Sequence, residues 1–388
     1  MKVNQVSEIL NSLMQQTTGQ TDIVNTDLSN VVDAGNAIFD AMSVDNYVKK
    51  LIDHVGRVAV VDRRLDVSAP SLIMDNWAYG AALEKITIAM PEAENNPTWN
   101  LTDGQTYNQD TFYTPDVTVK FYQQRDTYSI PMSRAEMQIR SAFSSPEQLM
   151  AFFAGLETQI RNAMTLNTDN LIRSTLNTMF GVTLADEFSN GTYTGVTSVK
   201  AVNLLHEFNT INSTQLTAAQ AMTDPDFLRF ASNRMRNYIN WLSSATSLLN
   251  VGGTVKFTPR DDLHVVLLSE FYNAANTYLQ SDTFHNEFTS LPLGEIVPYW
   301  QGSGQGFSFE DTSSIDIKIP NSGGSGTTIT ASGILGCMFD RWCMGINNQN
   351  FRAPTHINAA GEFVNTFYKY DGGFFYDSNE NFVMFYIA

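Results

Sequence analysis

The sequence predicts an α+β protein built around one very long helix, with strand-rich segments before and after it. Apolar residues recur at the spacing of one helix face between 146 and 180. Two alternating runs, "ALEKITIAM" and "DVTVKFYQQ", precede that helix, and an aromatic strand-like stretch closes the chain from 336 to 388. A chain of 388 residues can bury a substantial core and commonly divides into about two or three domains.

The composition is acidic but poor in charged residues. The chain has 23 Lys and Arg against 40 Asp and Glu, a formal net charge of −17. Only 16% of the residues are charged, against about 25% in an average soluble domain. No polybasic run is present, so we do not expect sequence-specific or strong electrostatic binding to DNA or to an anionic membrane. A surface poor in Lys and Glu but rich in aromatic and amide side chains favours extensive protein interfaces.

The two cysteines, Cys337 and Cys343, are too few to form a disulfide framework, which indicates synthesis in a reducing cytosol. The N-terminal stretch "KVNQVSEILNSL" has no apolar signal-peptide region, and no window reaches 18 apolar residues. The sequence therefore predicts a protein that is neither secreted by the usual route nor membrane-spanning.

The first 126 residues are predicted to form an arm and a hairpin. Residues 1–65 hold two short helical patterns separated by a polar stretch, which is typical of an extended arm. Residues 66–126 hold the two alternating runs, joined by a long excursion rich in proline, and predict a protruding β-hairpin. Because a hairpin alone is marginal in water, its Trp77, Trp99 and Tyr107 are expected to rest on the body of the protein or on a neighbour.

The next elements are a strand, a short helix and the long helix. "DTYSIPMSRAEMQIRSAF" predicts a strand followed by a short helix with Ser133 as its N-cap. The long helix begins at Pro146 after a serine cap, carries Glu147 in its first turn, and extends to Phe180. About 35 residues at roughly 1.5 Å each would span about 52 Å, more than an ordinary domain needs.

The remainder is a mixed region over 191–335 and a β return over 336–388. "SVKAVNLLHEFNTI" and a stretch capped by Asp224 with Pro225 in its first turn predict helices. "HVVLLSEF" predicts a buried strand, and "YNAANTYLQ" predicts a helix after it. In the β return, turns are expected at Asn347, at Ala360-Gly361 and at Gly372-Gly373.

No residue pattern predicts catalysis, a bound cofactor or a metal site. His264 begins an apolar strand and His285 lies in a polar segment, without HxxxH or HExxH spacing. The adjacent acids Asp261 and Asp262 could act as acid and base, but such pairs in turns are usually solvated. Cys337 and Cys343 lie in an apolar aromatic setting that favours inert core residues.

The order of elements, with "YSIPMSRAEMQIRSAFSSPEQLMAFFAGLETQIRNAM" before the mixed region and "GGFFYDSNENF" near the end, resembles the major capsid proteins of tailed bacteriophages with the Hong Kong 97-type fold. The resemblance covers about 45 to 388, and the pair Ser133-Arg134 is among its most telling pieces. It implies an N-terminal arm over 1–65 and an extended loop over 66–126 that lies on a neighbouring subunit. It implies a peripheral domain over 127–190 and 336–388, with a spine helix over 146–180, and an axial domain over 191–335.

The resemblance also implies the function. The protein would assemble through pentamers and hexamers into an icosahedral shell around double-stranded DNA, as part of a virion made in the cytoplasm of a bacterial host. Implied partners are other copies of the chain, a portal protein and decoration proteins. The arm is shorter than the scaffolding domain that some relatives carry, so a separate scaffolding protein is expected. The candidate contact residues between subunits are Trp77, Lys85, Trp99, Tyr107 and Lys120.

Some relatives join their subunits by a Lys-Asn isopeptide bond. Lys85 and Lys120 lie in the candidate extended loop, but no partner can be assigned to either from the sequence, and cross-linking is not predicted. Two alternatives remain at this point. An encapsulin-like shell of a cellular compartment has the same fold, and a hydrolase using Asp261 or Asp262 would need those acids and a histidine in one pocket.

Overall fold

The computed structural model describes residues 63–74, 82–91, 93–94, 96–107, 110, 112–135, 146–188, 192–281, 294–301, 306–319 and 326–388. The predicted arm up to residue 62, Trp77, the short helix after Ala135 and His285 lie outside these residues. The described chain forms two compact units. The larger unit takes its described residues from 66–129, 164–352 and 369–388, and the smaller from 63–65, 130–163 and 353–368.

Strands come first and last in the chain, and most of the helices lie between them, as expected for a mixed protein. The helices are α1 (Pro146–Glu187), α2 (Leu204–Asn212), α3 (Ala218–Ala221), α4 (Pro225–Leu242), α5 (Ser269–Ser281) and α6 (Phe309–Thr312). The strands are β1 (Leu83–Ile88), β2 (Val117–Tyr122), β3 (Arg125–Ala135), β4 (Ala201–Asn203), β5 (Leu263–Leu268), β6 (Glu295–Val297), β7 (Ile315–Ile319), β8 (Thr327–Ala331), β9 (Ile334–Asp340), β10 (Met344–Arg352), β11 (Thr355–Asn358), β12 (Phe363–Tyr376) and β13 (Phe382–Tyr386).

The long helix predicted from the sequence is α1, but its predicted end at Phe180 is wrong. The helix continues to Glu187. Gly181 and Thr183 are weak helix formers, so the local pattern indicates an end there. Tertiary packing overrides that preference, because a Cβ at Gly181 would lie 2.5 Å from the Cδ1 atom of Ile317, and Leu184 is buried in the core.

A five-stranded sheet with the order β4-β13-β9-β5-β6 forms the centre of the larger unit. β5 pairs antiparallel with β9 and parallel with β6, while β13 pairs antiparallel with β9 and parallel with β4. Every residue of β9 and β13 is buried, which explains why "ILGCMFD" and "FVMFY" read as nearly continuous apolar runs. The predicted strand and helix around "HVVLLSEF" and "YNAANTYLQ" are confirmed as β5 and α5.

Aromatic side chains join α1 to this sheet. Phe180 is fully buried, with its ring centroid 4.9 Å from that of Trp300 in a T-shaped arrangement and 5.9 Å from that of Phe382. The indole Nε1 of Trp300 donates to the carbonyl oxygen of Ile334 at 2.9 Å, and Asn177 Nδ2 donates to the carbonyl oxygen of Trp300 at 3.0 Å. The core of the larger unit therefore satisfies the polar atom of its largest side chain.

The other two helices predicted in the mixed region have different outcomes. The side chain of Asp224 caps α4 by accepting from Phe227 N at 2.8 Å, and Pro225 occupies the first position, as predicted. The predicted helix over 198–211 is wrong at its start, because Ala201–Asn203 form the strand β4 beside β13. A three-residue strand made by long-range pairing leaves no periodic signal in the sequence.

In the β return, only one of the three predicted turns is confirmed. Ala360-Gly361 lies in a turn between β11 and β12. The turns predicted at Asn347 and at Gly372-Gly373 are wrong, because Asn347 lies in β10 and pairs with Gly373 in β12. A Cβ at Gly372 would lie 3.0 Å from the Leu171 Cδ2 atom, so this glycine permits a close approach of the strand to α1.

In the smaller unit, β11 pairs antiparallel with the first part of β12, from Thr355 opposite Thr366 to Asn358 opposite Phe363. Ser133 was predicted as a helix N-cap, which is wrong, because it lies within β3. Its hydroxyl oxygen lies 2.6 Å from Asn365 Oδ1, and Arg134 Nη2 donates to the Tyr368 hydroxyl at 2.8 Å. The pair Ser133-Arg134 thus holds β3 to β12 within this unit.

Candidate functional site

The candidate functional site is the hairpin formed by β1 and β2. The strands pair antiparallel with Leu83 opposite Tyr122 and Ile88 opposite Val117, which confirms the predicted hairpin. Its alternation is the reverse of that in an ordinary surface hairpin. The more buried face carries Lys85 and Lys120 beside Leu83 and Tyr122, and the outer face carries Glu84 together with five exposed apolar side chains: Ile86, Ile88, Val117, Val119 and Phe121.

This outer face is well exposed in the described chain. The relative exposure of Ile86 is 60% and that of Phe121 is 62%. Cross-strand pairing places Ile86 directly opposite Val119 and Ile88 opposite Val117, so the side chains form one continuous surface and not scattered exposed residues. A contiguous apolar surface of this kind marks an interaction site.

The excursion between the strands extends the apolar surface. Trp99 is 94% exposed and Phe112 is 86% exposed, so neither rests on the described body of the protein. Residues 86–119 contain no Lys or Arg but five acidic residues: Glu92, Glu94, Asp103, Asp110 and Asp116. The excursion is therefore both aromatic and acidic, a combination that favours a protein partner over a phosphate-rich one.

Further apolar residues continue the surface beside the hairpin. Ile88 and Met90 line an open groove together with Val255 and Phe257 from the loop before β5. Val255 and Phe257 are both 51% exposed. The exposed apolar surface thus includes part of the body of the larger unit as well as the hairpin.

The more buried face of the hairpin is held by charge. Lys85 Nζ donates to Asp377 Oδ2 at 2.7 Å and lies 2.6 Å from Glu380 Oε1, and Lys120 Nζ donates to Asp377 Oδ1 at 2.7 Å. Lys256 Nζ completes the group, 2.5 Å from Glu380 Oε1. We call Lys85, Lys120, Lys256, Asp377 and Glu380 the lysine anchor.

The lysine anchor is largely removed from solvent. The side chain of Asp377 is 2% exposed, and those of Lys85 and Glu380 are each 10% exposed. Lys85 Nζ also donates to the carbonyl oxygen of Trp342 at 3.0 Å, so the described structure provides it with three acceptors. An ammonium group has three donors, and all three of Lys85 can therefore be satisfied.

Asp377 is strongly biased toward its charged form. Burial disfavours the carboxylate, but hydrogen bonds from Lys120 and Lys85 outweigh burial and lower the pKa of Asp377 to about 2. Beside it, burial raises the pKa of the Tyr122 hydroxyl, and the negative charge of Asp377 raises it further. The carboxylate therefore stays charged, and the phenol neutral, over the whole physiological range.

The structure distributes the five predicted contact residues unevenly. Lys85 and Lys120 enter the lysine anchor of their own chain, whereas Trp99 and Tyr107 lie in the exposed excursion. Tyr107 is 42% exposed, and its hydroxyl oxygen accepts from Thr102 N at 3.2 Å. Trp77 lies outside the described residues. The assignment of all five to subunit contacts stays a prediction.

Sequence reasoning missed Lys256, Asp377 and Glu380. Asp377 and Glu380 lie in the turn "DSNE" between β12 and β13, where acids ordinarily face solvent. The signal that could have pointed to them was the pair of lysines on the face of β1 and β2 opposite to the apolar one, since buried ammonium groups require carboxylate partners.

The residues considered for catalysis differ in their burial and contacts within the described chain. The His264 ring packs on Phe339 with centroids 5.7 Å apart, burial lowers its pKa, and its buried Nε2 has no hydrogen-bond partner within the described residues. Asp261 lies exposed in a short 3-10 turn. Cys337 and Cys343 are fully buried, which raises the pKa of both thiols.

Metal sites and membrane-spanning helices are both absent from the stretches of chain that the structure describes. No group of three or more His, Cys, Asp or Glu residues among them could hold a metal ion. None of the helices described is both long and apolar enough to cross a membrane.

Comparison with solved structures identifies the fold. The capsid structure of Staphylococcus phage Andhra matches with a TM-score of 0.53 at 11% identity, covering 86% of this chain and 87% of that chain. Two further structures are similar. One is from bacteriophage P68 and is described as head fiber and inner core protein; it has a TM-score of 0.49 at 11% identity and covers 86% of this chain and 87% of that chain. The other is the capsid of Cyanophage P-SCSP1u, with a TM-score of 0.47 at 10% identity, covering 86% of this chain and 91% of that chain. The fold is the Hong Kong 97-type fold of tailed-phage capsid proteins.

The family follows from the sequence. The model of the family described as Phi29-like phage major capsid protein matches residues 6–386, nearly the whole chain, and the protein belongs to that family. No curated protein matches significantly. The chain is thus a major capsid protein that forms the phage shell and is a component of the virion, and no comparison supports the encapsulin-like or hydrolase alternative.

Proposed function

We propose that the chain assembles through pentamers and hexamers into an icosahedral shell, and that the outer face of its hairpin docks on a neighbouring copy. The reversed polarity of the hairpin carries this proposal. Its polar face is occupied by the lysine anchor, so its apolar face is directed away from its own chain. A second copy of the chain is the partner that a shell supplies at every position.

The geometry of a ring accounts for such a contact. In a five- or sixfold ring each copy meets its neighbour through two different surfaces, so the hairpin of one copy covers a different surface of the next. Many such contacts of modest strength add up to a stable shell. Of the five candidate contact residues, Trp77, Trp99 and Tyr107 would contact the neighbour directly, whereas Lys85 and Lys120 would act by orienting the hairpin.

The proposed organisation follows the family arrangement. Residues 1–65 are the N-terminal arm, 66–126 the extended loop, 127–190 with 336–388 the peripheral domain, and 191–335 the axial domain. The protein acts as a structural component and not as an enzyme. It encloses double-stranded DNA without reading its sequence, since a net charge of −17 gives the wall no general affinity for phosphates. Its other partners are a separate scaffolding protein, a portal and decoration proteins, and it is made in the bacterial cytoplasm.

A pair of substitutions on one strand tests the docking. Val119→Asp places a charge on the outer face, and Thr118→Asp places the same charge one residue away on the opposite face of the strand. The full-length chain, expressed alone and with its scaffolding protein, is examined by electron microscopy and sedimentation velocity. We expect closed shells from Thr118→Asp and from the unsubstituted chain, and folded but unassembled protein from Val119→Asp. Normal shells from Val119→Asp would overturn the docking.

A further inference from the structure

Asp377 is the point at which both strands of the hairpin meet the body of the larger unit. Its Oδ2 accepts from Lys85 on β1 and its Oδ1 accepts from Lys120 on β2, each at 2.7 Å. Among the described residues, Asp377 is the only carboxylate bonded to both strands. One residue, distant in sequence, therefore fixes both strands at once.

The carboxylate of Asp377 is itself held rigidly. Its Oδ1 accepts from Asn379 N at 3.0 Å, and its backbone N donates to the carbonyl oxygen of Cys343 at 2.6 Å, next to the start of β10. The neighbouring Cys343 is fully buried. Asp377 is thus connected to the core, and the hairpin lysines are bound to a fixed point and not to a mobile surface side chain.

The other polar and aromatic attachments that the described residues show each hold one strand: Lys85 on β1 also contacts Glu380 and the Trp342 carbonyl oxygen, and the Tyr122 ring on β2 lies 5.4 Å from that of Phe375. Two strands alone do not form a stable core, and five apolar side chains of this hairpin lie on its exposed face. Without Asp377, Lys120 would lose the carboxylate that the described residues provide for it, and Lys85 would keep only Glu380 and the Trp342 carbonyl oxygen as acceptors. Asp377 is consequently the carboxylate that holds both strands with this face toward the body.

We propose that Asp377 is a positioning residue for assembly: its carboxylate locks the polar face of the hairpin onto the body and thereby presents the outer face to a neighbouring copy. The step from a locked hairpin to a docked one rests on the proposed function. The lock itself does not, because it acts within one chain. A corollary is that Lys85, 10% exposed, is shielded from chemical modification before any shell forms.

The test combines hydrogen exchange with lysine acetylation on the full-length chain before assembly. Asp377→Asn keeps an oxygen that can accept from Asn379 N but removes the charge. We expect amide exchange in β1 and β2 and acetylation of Lys85 and Lys120 to rise by about tenfold or more, as for loss of a buried ion pair. The exposed Lys318 and Lys369 should be unchanged and serve as internal references.

Asp226→Asn is the matched control, because Asp226 forms an exposed ion pair with Arg229 in the same unit. It should leave exchange and acetylation as in the unsubstituted chain. Unchanged protection of the hairpin in Asp377→Asn would overturn the proposal. If Asp377→Asn fails to fold, the unsubstituted chain still tests the proposal. Acetylation of Lys85 as fast as that of the exposed Lys369 would also overturn it.

The same variants separate the lock from the docking. Loss of hairpin protection in Asp377→Asn establishes the lock, whatever happens to the shells. Normal shells from that unlocked variant would contradict the role of the lock in assembly, whereas the docking itself is tested by Val119→Asp. If Val119→Asp forms no shells but its hairpin keeps full protection from exchange, the outer face is needed for assembly and the lock is intact.

Discussion

Lys85 and Asp377 are 292 residues apart in the sequence, yet Lys85 Nζ lies 2.7 Å from Asp377 Oδ2. This contact joins the hairpin to the turn before the last strand of the chain. It explains how a hairpin with an apolar outer face keeps that face exposed, because the charged side chains of its other face are held by the body.

Acid should weaken the lysine anchor only at very low pH. The pKa of Asp377 falls from an ordinary value of 3.8 to about 2 in the folded chain, so the unfolded chain takes up the proton first. Its contribution, about 2 kcal/mol, is present above pH 3.8 and is lost as the pH falls through about 2.

Urea unfolding of the chain and of Asp377→Asn between about pH 2 and about pH 6 measures this contribution. The difference in free energy of unfolding should be full at the upper end and shrink below pH 3.8. A difference that does not change with pH would show that the charge of Asp377 is not what stabilises the turn.

His264 should titrate below its ordinary pKa of 6.5, because burial disfavours its charged form. The folded chain then binds the proton less readily than the unfolded chain, so stability is lost as the pH falls below 6.5. The groups that face it include Glu295, Arg341, Asp340 and Asp262.

His264→Phe should therefore flatten the pH dependence of unfolding just below pH 6.5 without loss of stability at neutral pH. The ring already packs on Phe339, and its Nε2 finds no hydrogen bond among the described residues. A large loss of stability at neutral pH would instead indicate a polar role for the imidazole.

Cys337 and Cys343 should not react with a thiol reagent in the native chain. Both are 0% exposed, and burial raises the pKa of each thiol, so little thiolate is present. Ellman's reagent should modify both residues in denaturant and neither one in buffer. Fast modification of either thiol in buffer would contradict the packing of β9 and the start of β10.

Two glycines with positive φ angles form a matched pair. A side chain at Gly333 (φ +78°) would collide with the carbonyl oxygen of Ile387, whereas a side chain at Gly195 (φ +69°) would meet nothing within 4 Å. Gly195→Ala should cost about 1 kcal/mol of unfolding free energy from backbone strain alone. Gly333→Ala should cost about 3 kcal/mol or more, because the clash adds to the strain. Equal costs in urea unfolding would contradict the close contact between Gly333 and Ile387.

The elements with strong local patterns could be predicted from the sequence. The hairpin followed from alternation in two runs, α4 from Asp224 and Pro225, and β5 from a compact apolar run. Elements that depend on distant partners could not. β4 exists because it pairs with β13, and α1 passes Gly181 because the glycine fits against Ile317.

Only the hairpin residues of the candidate site could be predicted from the sequence. The exposed aromatic residues and the lysines of the hairpin stand out in the sequence, and they were identified as contact candidates. Their carboxylate partners do not stand out, because Asp377 and Glu380 look like ordinary acids of a turn. Only the fold brings that turn to the hairpin, and the charge balance of the site becomes visible only then.

Electron cryomicroscopy of the assembled shell tests the central claim most directly. The account predicts that Ile86, Val119 and Phe121 of each copy lie within about 4.5 Å of a neighbouring copy, with Lys85 still bonded to Asp377. A shell in which this face is turned to solvent, or folded back onto its own chain, would contradict it.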